Sequence, residues 1–140
     1  MIVNSQPVHS NLNYFDQQQR RETFKKWVFK ENQPCNADKM AEAGFIFTGS
    51  LRDPDSAACF FCNKHLDGWE AADDPWKEHL NHAKECDFAK MQVAQDNWTL
   101  AQWLDLHYKY QQIVIDKMYQ EKRNAVTKMF NKLKRRADIY

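Results

Sequence analysis

Four residues near the middle of the chain have the types and the spacing of metal ligands. Cys59 and Cys62 are separated by two residues, His79 follows after a gap of 16, and Cys86 lies beyond six more. Three thiolates and one imidazole form a common ligand set for a closed tetrahedral zinc site, and a Cys-x2-Cys pair is typical of a zinc knuckle. The spacing therefore predicts one structural Zn²⁺ that fastens a hairpin tip to a helix.

Other interpretations of these residues remain open at this point. The cysteines could be small buried apolar side chains, with His79 on a helix surface. His82, one turn later, is a rival ligand, although it leaves only three residues before Cys86. A catalytic zinc would need an open coordination position beside a general base, for which Glu78 or His82 is available. The remaining cysteine, Cys35, has no partner in the pattern and is predicted to be a buried or loop thiol.

Short elements are predicted on both sides of these ligands. Asn36 suits the N-cap of a helix that Gly44 closes in the left-handed region, and Asp74 followed by Pro75 is typical of a helix N-terminus. Aromatic-rich runs between them favour strands. The predicted elements are, in order, helices over 20–27 and 37–43, strands over 44–49, 58–61 and 64–68, and a helix over 75–84.

Length and composition favour one packed domain with an appendage. The chain has 140 residues, 43% of them hydrophobic and 28% charged, which argues against both wholesale disorder and an elaborate enzyme. No phosphate loop, GxSxG elbow or HExxH helix is present, so no catalytic activity is expected. No apolar run reaches the roughly 18 residues of a membrane span, and the first residues do not resemble a secretion signal. We therefore expect an intracellular chain, in which cysteines favour metal over disulfides.

The charge is distributed unevenly along the chain. Residues 1–97 have a net charge of −4 and residues 98–140 one of +5, although the whole chain is only +1. All three glycines and all four prolines lie before residue 76, so no helix breaker follows. The basic end over 128–136 is compatible with nucleic-acid binding, but a solvated helix face explains it better, and direct nucleic-acid binding is not expected.

One long helix is predicted over 98–140. Its apolar residues recur at steps of three and four, and forty helical residues reach about 60 Å, too far to fold back onto a small core. The stripe therefore faces solvent or packs against partner helices, and exposing its large apolar side chains would cost about 1.5 to 3 kcal/mol each. This favours a partner-binding helix. The residues predicted to bind partners or a second copy are Trp98, Leu100, Trp103, Leu104, Tyr110, Val114 and Met118.

Taken together, the motifs resemble a known family, the baculovirus inhibitor-of-apoptosis repeat (BIR) domain. The matching residues are Arg21-x-Thr23-Phe24-x-x-Trp27, Met40-Ala-Glu-Ala-Gly44-Phe45, Thr48-Gly49, Cys59-Phe-Phe-Cys62, Gly68-Trp69, Asp74-Pro75-x-x-Glu78-His79 and Cys86. A single such domain, matched over about 15–88 and followed directly by a long helix, resembles the survivin-like members of the family. The resemblance implies an α+β fold, in which a zinc-stabilised BIR domain with a short three-stranded antiparallel sheet and surrounding helices precedes one long C-terminal α-helix.

Survivin-like proteins are non-enzymatic subunits of the chromosomal passenger complex, and the resemblance implies that role here. The long helix would bundle with helices of borealin and the inner centromere protein, and the BIR domain would read the Ala-initiated tail of histone three when its threonine is phosphorylated. An aurora-type kinase would thereby reach centromeres. The implied locations are the nucleus and centromeres in mitosis, the spindle midzone and the cytoplasm. The alternative is an apoptosis inhibitor that binds caspases or Ala-initiated antagonist peptides.

The resemblance also implies a peptide groove. Its predicted residues are Lys64, Leu66, Asp67, Trp69, Asp73 and His82. The two aspartates match ammonium-binding carboxylates, the leucine and tryptophan match the wall of an alanine pocket, and the lysine and histidine match phosphate acceptors. The competing interpretation is that the apolar pair belongs to the core and that the polar residues are merely solvated. Three residues depart from the pattern: Asp67 replaces a glutamate, His65 replaces an acidic residue expected to meet a lysine of the peptide, and Asn63 replaces an aromatic residue.

The predicted organisation has four segments. These are an N-terminal extension over 1–14, the BIR domain over 15–90, a linker or dimerisation segment over 91–97 and the partner-binding helix over 98–140. Survivin-like chains also pair through the segment that joins domain and helix. A homodimer is therefore implied as a state that competes with the passenger complex.

Overall fold

The computed structural model describes residues 13–138 of the chain, so most of the predicted N-terminal extension lies outside the described residues. The chain divides into two compact units, the first ending at Trp103 and the second beginning at Leu104. The elements are α1 (Gln17–Glu22), α2 (Ala37–Glu42), β1 (Phe45–Phe47), β2 (Ala57–Cys59), β3 (His65–Leu66), α3 (Pro75–His82), α4 (Asp87–Met91), a 3-10 turn (Gln95–Asn97) and α5 (Leu100–Ala137). The predicted α+β class is confirmed.

The three strands form one antiparallel sheet in the order β1-β2-β3. Phe45 lies opposite Cys59, and Ala57 lies opposite Leu66. The central strand β2 is fully buried, whereas the short strand β3 lies at an edge of the sheet. One edge of β3 therefore faces no other strand among the described residues, and a strand edge of this kind is a template for pairing with an added strand.

The predicted helix caps are confirmed. The side chain of Asn36 accepts a hydrogen bond from the Lys39 amide at 2.9 Å, and Asp74 caps α3 with Pro75 in the first turn. Gly44 ends the α2 segment with φ of +91°, and a Cβ atom there would lie 2.6 Å from the Phe88 ring. Glycine is needed at this position both for the backbone conformation and for the close packing.

The predicted helix over 20–27 is wrong in its bounds, because α1 starts at Gln17 and ends at Glu22. Thr23 accounts for the end of the helix. Its hydroxyl donates to the Arg20 carbonyl at 2.6 Å and accepts from the Phe47 amide at 2.8 Å. A threonine that bonds both to its own turn and to a strand competes with helix continuation.

The strand predicted over 58–61 also ends early, at Cys59. The next residues form a tight turn in which the Asn63 amide donates to the Cys59 carbonyl at 2.9 Å. Asn63 itself adopts φ of 59°, a left-handed conformation that asparagine tolerates better than most residues. This turn, and not a longer strand, brings Cys62 back beside Cys59.

Aromatic side chains form the core of the first unit around Phe88. Its ring stacks on Trp76 with centroids 5.3 Å apart and meets Phe60 edge-on at 5.0 Å and Trp98 at 5.9 Å. Phe88 is fully buried. Trp98 lies just after the predicted linker, so this contact packs the end of that segment onto the domain.

A buried arginine lies within this aromatic core. Arg20 is fully buried, with its guanidinium carbon 4.7 Å from the centre of the Phe60 ring. Its Nε donates to the Ala41 carbonyl at 2.8 Å, and its Nη1 donates to the carbonyls of residues 14 and 15. Burial lowers the pKa of Arg20 to about 10. The sequence motif that indicated the family contains Arg21 and not Arg20. Arg21 lies near the surface and pairs with Asp38.

The second unit consists of most of α5, a helix of 38 residues that begins at Leu100 and spans about 57 Å at 1.5 Å per residue. From residue 115 to residue 137 every side chain of the helix is exposed. Among the described residues, no helix is both long and apolar enough to cross a membrane.

Candidate metal centre and peptide cleft

Four predicted ligands converge on one site from three parts of the domain. Cys59 ends β2, Cys62 lies in the following turn, His79 lies in α3, and Cys86 precedes α4. Their ligand atoms all lie within 4.8 Å of one another, with Cys62 Sγ 3.8 Å from His79 Nε2. Cys59, His79 and Cys86 are buried, and Cys62 is half-buried. Residues distant in sequence thus form one compact donor set.

The orientation of His79 is set by a hydrogen bond to the backbone. Its Nδ1 lies 2.7 Å from the carbonyl oxygen of Ala43. A carbonyl can only accept, so Nδ1 carries the proton and Nε2 offers its lone pair to the cysteine cluster. The Phe45 ring packs 4.8 Å from the imidazole. The chain therefore prepares the histidine as a ligand through Nε2.

Backbone amides support the cysteine sulfurs. The amides of Phe61 and Cys62 both point at Cys59 Sγ, at 3.3 and 3.5 Å. Burial raises the pKa of the Cys59 thiol, whereas hydrogen bonds from Cys59 and Cys86 hold the pKa of the Cys62 thiol well below its usual range. A cation that binds all three sulfurs must therefore displace protons.

This donor set fits zinc. Three sulfurs and one imidazole nitrogen are the ligands of closed structural zinc sites, and the histidine already has the supporting hydrogen bond usual for such ligands. Cys59, Cys62, His79 and Cys86 are thus positioned to bind one zinc ion, as predicted. With four protein ligands, the ion would have no open position for catalysis. Its contribution here would be to fasten β2 to α3 and α4.

Neither rival residue belongs to this cluster. His82 is exposed, and its Nε2 lies 3.4 Å from the Glu78 carboxylate. Cys35 is buried elsewhere, with its sulfur 3.8 Å from that of Met40. Burial raises the pKa of Cys35 to about 12, so it remains a protonated thiol, as the sequence predicted.

A second site is a cleft of about 260 Å³ beside β3. Its lining contains five of the six predicted peptide-binding residues, together with three others. The lining residues are His65, Leu66, Asp67, Gly68, Trp69, Asp73, Glu78 and His82. Lys64, the sixth predicted residue, is exposed and does not line the cleft. Glu78 was considered in the sequence only as a possible general base and as part of a motif, and its place beside His82 follows from their spacing of four along a helix.

The cleft has an apolar wall and an acidic surface. Trp69 is buried, packs edge-on against Phe45 at 5.1 Å, and still lines the cleft, so it serves both the core and the wall. Asp73 accepts a hydrogen bond from the Glu70 amide at 2.8 Å, which fixes its carboxylate. No hydrogen bond or ion pair engages the Asp67 carboxylate within residues 13–138. Such a surface suits a cationic group next to a small apolar one.

The residues predicted to bind partner helices differ in exposure. Leu100, Trp103, Leu104 and Met118 are exposed, Trp98 and Val114 are half-buried, and Tyr110 is buried. Further large apolar side chains are exposed along the C-terminal half of the helix. These are Tyr119, Val126, Met129, Phe130 and Leu133. Among the described residues, α5 therefore exposes many more large apolar side chains than is usual for a helix that contacts only solvent.

A zinc-binding donor set, a three-stranded antiparallel sheet and short surrounding helices define a BIR domain, and comparison with known proteins agrees. The inhibitor-of-apoptosis (BIR) domain family matches residues 20–90, about half of the chain, and the chain belongs to this family.

Whole-chain relatives extend the match beyond the domain. The chain is 36% identical over 123 residues to Baculoviral IAP repeat-containing protein 5.1 of Xenopus tropicalis and to 5.1-B of Xenopus laevis, covering 83% of this chain and 77% of each relative. It is equally identical, over 121 residues, to protein 5.2-B of Xenopus laevis. These relatives are survivin-type proteins with a single BIR domain, so the predicted resemblance is confirmed.

Proposed function

We propose that this chain is a non-enzymatic adaptor of the chromosomal passenger complex. The BIR domain would bind the Ala-initiated tail of histone three, phosphorylated on its nearby threonine, and α5 would bind borealin-like and inner-centromere-protein-like helices. Together they would bring an aurora-type kinase to centromeres in mitosis. The observation that carries the proposal is the acidic cleft with an apolar wall, located at an open sheet edge of a survivin-type BIR domain.

The cleft has the groups that recognition of a chain terminus requires. Asp67 and Asp73 supply negative charge for the terminal ammonium, and Leu66 and Trp69 supply an apolar wall for a methyl group. The edge of β3 can pair with an extended peptide backbone, which holds the peptide without reading its side chains. This combination favours a peptide that begins with a small residue.

A phosphate on the peptide would meet the basic side of the cleft. His82 lines the cleft, and the exposed Lys64 lies next to the lining residue His65 in sequence. The Nε2 atom of His82 also lies 3.4 Å from the Glu78 carboxylate, which orients the imidazole and places negative charge beside it. The exposed lysine, with its long flexible side chain, would therefore supply much of the attraction for the phosphate.

The helix α5 supports the second half of the proposal. Exposed apolar side chains extend from Leu100 to Leu133, and a three-helix bundle would bury them. The same exposed residues near the start of α5 would permit a homodimer that competes with this assembly. Nuclear, centromeric, midzone and cytoplasmic locations follow from the proposed complex and not from any feature of the fold.

Titration with matched histone-tail peptides tests the proposal. The phosphorylated Ala-initiated peptide should bind more tightly than the unphosphorylated one, and N-terminal acetylation should abolish binding of both, because it removes the ammonium charge. Changing both Lys64→Ala and His82→Ala should remove the phosphate preference and leave basal binding. Equal affinity of the wild-type protein for both peptides would contradict histone-phosphate reading and favour the apoptotic alternative, in which Ala-initiated antagonist peptides bind without phosphate.

A further inference from the structure

We propose that a second surface of the BIR domain, the lysine patch formed by Lys25, Lys26 and Lys30, binds the phosphate backbone of duplex DNA. None of these lysines lines the peptide cleft. Nucleic-acid binding was not expected from the basic end over 128–136, and the lysine patch lies in a different part of the chain. The choice of DNA as the ligand rests on the proposed role at chromatin, whereas the presence of an anion-binding surface does not.

The lysine patch consists of three cations without a partner. They belong to the run Lys25-Lys26-Trp27-Val28-Phe29-Lys30, and all three lysine side chains are exposed. Within residues 13–138 none of these ammonium groups forms a hydrogen bond or an ion pair. The nearest acidic residues along the chain are Glu22 and Glu31, and Glu31 lines a separate cavity beside α3. The run therefore presents three positive charges that no carboxylate pairs with.

The backbone of this run is held in place before any ligand binds. Trp27 and Phe29 are half-buried with their rings 5.8 Å apart, whereas Val28 between them is 45% exposed. The amide of Lys30 donates to the Gln33 side chain at 2.7 Å, and its carbonyl accepts from the Gln33 amide at 3.1 Å. Binding of an anion would therefore have to order only the lysine side chains, which lowers its entropic cost.

The aromatic side chains of the run are engaged within the domain, which argues against two other modes of binding. The indole N–H of Trp27 donates to the Cys35 carbonyl at 2.8 Å, and its ring meets those of Phe24 and Phe29 edge-on at 5.2 and 5.8 Å. Rings packed in this way are not free to insert into a lipid surface or to stack on a nucleobase. The surface therefore suits contacts to phosphate groups, which do not read the base sequence.

The lysine patch lies in a segment that packs against the wall of the peptide cleft. Trp27 meets Trp69 edge-on with centroids 6.5 Å apart, and Trp69 lines the cleft. A domain that holds a histone tail is close to the DNA wrapped around the same histones, and duplex DNA has one phosphate charge for about every 1.7 Å of its length. Because the second contact would be intramolecular, contact with both would raise the affinity for chromatin above that for the tail alone.

Fluorescence anisotropy with a short duplex of mixed sequence tests this inference on the full-length, zinc-loaded protein. Three phosphate contacts predict an affinity that falls about 40-fold between 50 and 200 mM salt, since each contact contributes about −0.9 to the slope of log affinity against log salt. Changing both Lys26→Gln and Lys30→Gln should weaken binding about ten-fold and reduce the slope from about −2.7 to about −0.9. Two duplexes of unrelated sequence should bind equally, because no base is read.

A matched variant of α5 shows which cations are responsible. Changing both Lys132→Gln and Arg135→Gln also removes two exposed positive charges and should leave DNA binding unchanged. Both double variants should retain zinc and bind the Ala-initiated tail peptide as the wild-type protein does.

Three results would overturn this inference without affecting histone-tail reading. They are a flat salt response, a loss in the α5 variant as large as that in the lysine-patch variant, and binding to phosphatidylserine vesicles in place of DNA. The converse result separates the two proposals. If the protein binds DNA through the lysine patch but does not bind the tail peptide, the proposed function is wrong and the DNA-binding surface stands.

Discussion

The Nδ1 atom of His79 lies 2.7 Å from the carbonyl oxygen of Ala43, and this contact links the metal centre to the end of α2. The next residue, Gly44, turns the chain into β1 in a left-handed conformation. One hydrogen bond therefore ties the imidazole ligand to the turn that starts the sheet. The geometry of the donor set and the topology of the domain depend on the same few residues.

The first prediction concerns the histidine ligand and its neighbour. His79→Ala should reduce bound zinc from one ion per chain to none and unfold the BIR domain, because structural zinc contributes about 10 to 16 kcal/mol to such small domains. His82→Ala, one helical turn later, should keep the zinc and the fold, because His82 is exposed and, among residues 13–138, pairs with Glu78 alone. Metal analysis with circular dichroism checks both. Retention of zinc by the His79 variant would contradict the assigned donor set.

The second prediction is that a chelator strong enough to remove the ion unfolds the first unit. Loss of the ion leaves three cysteines and a histidine clustered without a cation, and the domain has only a small core to compensate. Trp fluorescence and protease sensitivity should change together as zinc is withdrawn, and both should recover when zinc is returned. Metal-free protein with native spectra would show that the aromatic core suffices alone.

The third prediction compares two glycines. Gly44→Ala should destabilise the domain by about 3 kcal/mol, since it adds a Cβ at positive φ and places it 2.6 Å from the Phe88 ring. Gly68 also has positive φ, at 71°, but a Cβ there meets nothing within 4 Å. Gly68→Ala should therefore cost only about 1 kcal/mol of backbone strain. Urea unfolding of the zinc-loaded proteins measures both, and equal losses would rule out the Phe88 contact as the cause.

The fourth prediction compares two adjacent arginines. Arg20→Met should destabilise the domain by about 3 kcal/mol, because it leaves buried carbonyls such as that of Ala41 without a donor. Arg21→Met removes only a partly exposed ion pair with Asp38 and should change stability by less than about 1 kcal/mol. Urea unfolding again provides the measurement. A larger effect at Arg21 would mean that the buried hydrogen bonds of Arg20 contribute little.

The fifth prediction tests the proposed helix partners. Met118→Glu should prevent co-purification with borealin-like helices, because it puts a charge into the apolar face that a bundle would bury. Gln120→Glu adds the same charge two positions away, at an exposed polar residue, and should leave assembly intact. Both variants should retain zinc. Normal complex formation by the Met118 variant would exclude that face as the interface.

The metal site can be predicted from the sequence more completely than the cleft. The ligand types and their spacing favoured His79 over His82, because His82 would leave only three residues before Cys86. The residues that line the cleft were harder to predict, because they depend on the direction in which each side chain points around the two-residue strand β3. His65 therefore lines the cleft, whereas its neighbour Lys64, which the family resemblance favoured, does not.

The sequence by itself determined the donor set, the caps of α2 and α3 and the long helix, because each depends on residues close together or on a repeating period. Only the tertiary structure decided that Arg20, and not Arg21, enters the core, and that α1 stops at Thr23. Both outcomes depend on contacts with residues some 20 or more positions away, at Ala41 and Phe47. A local pattern contains no information about such contacts, since they exist only once the helix has packed on the sheet.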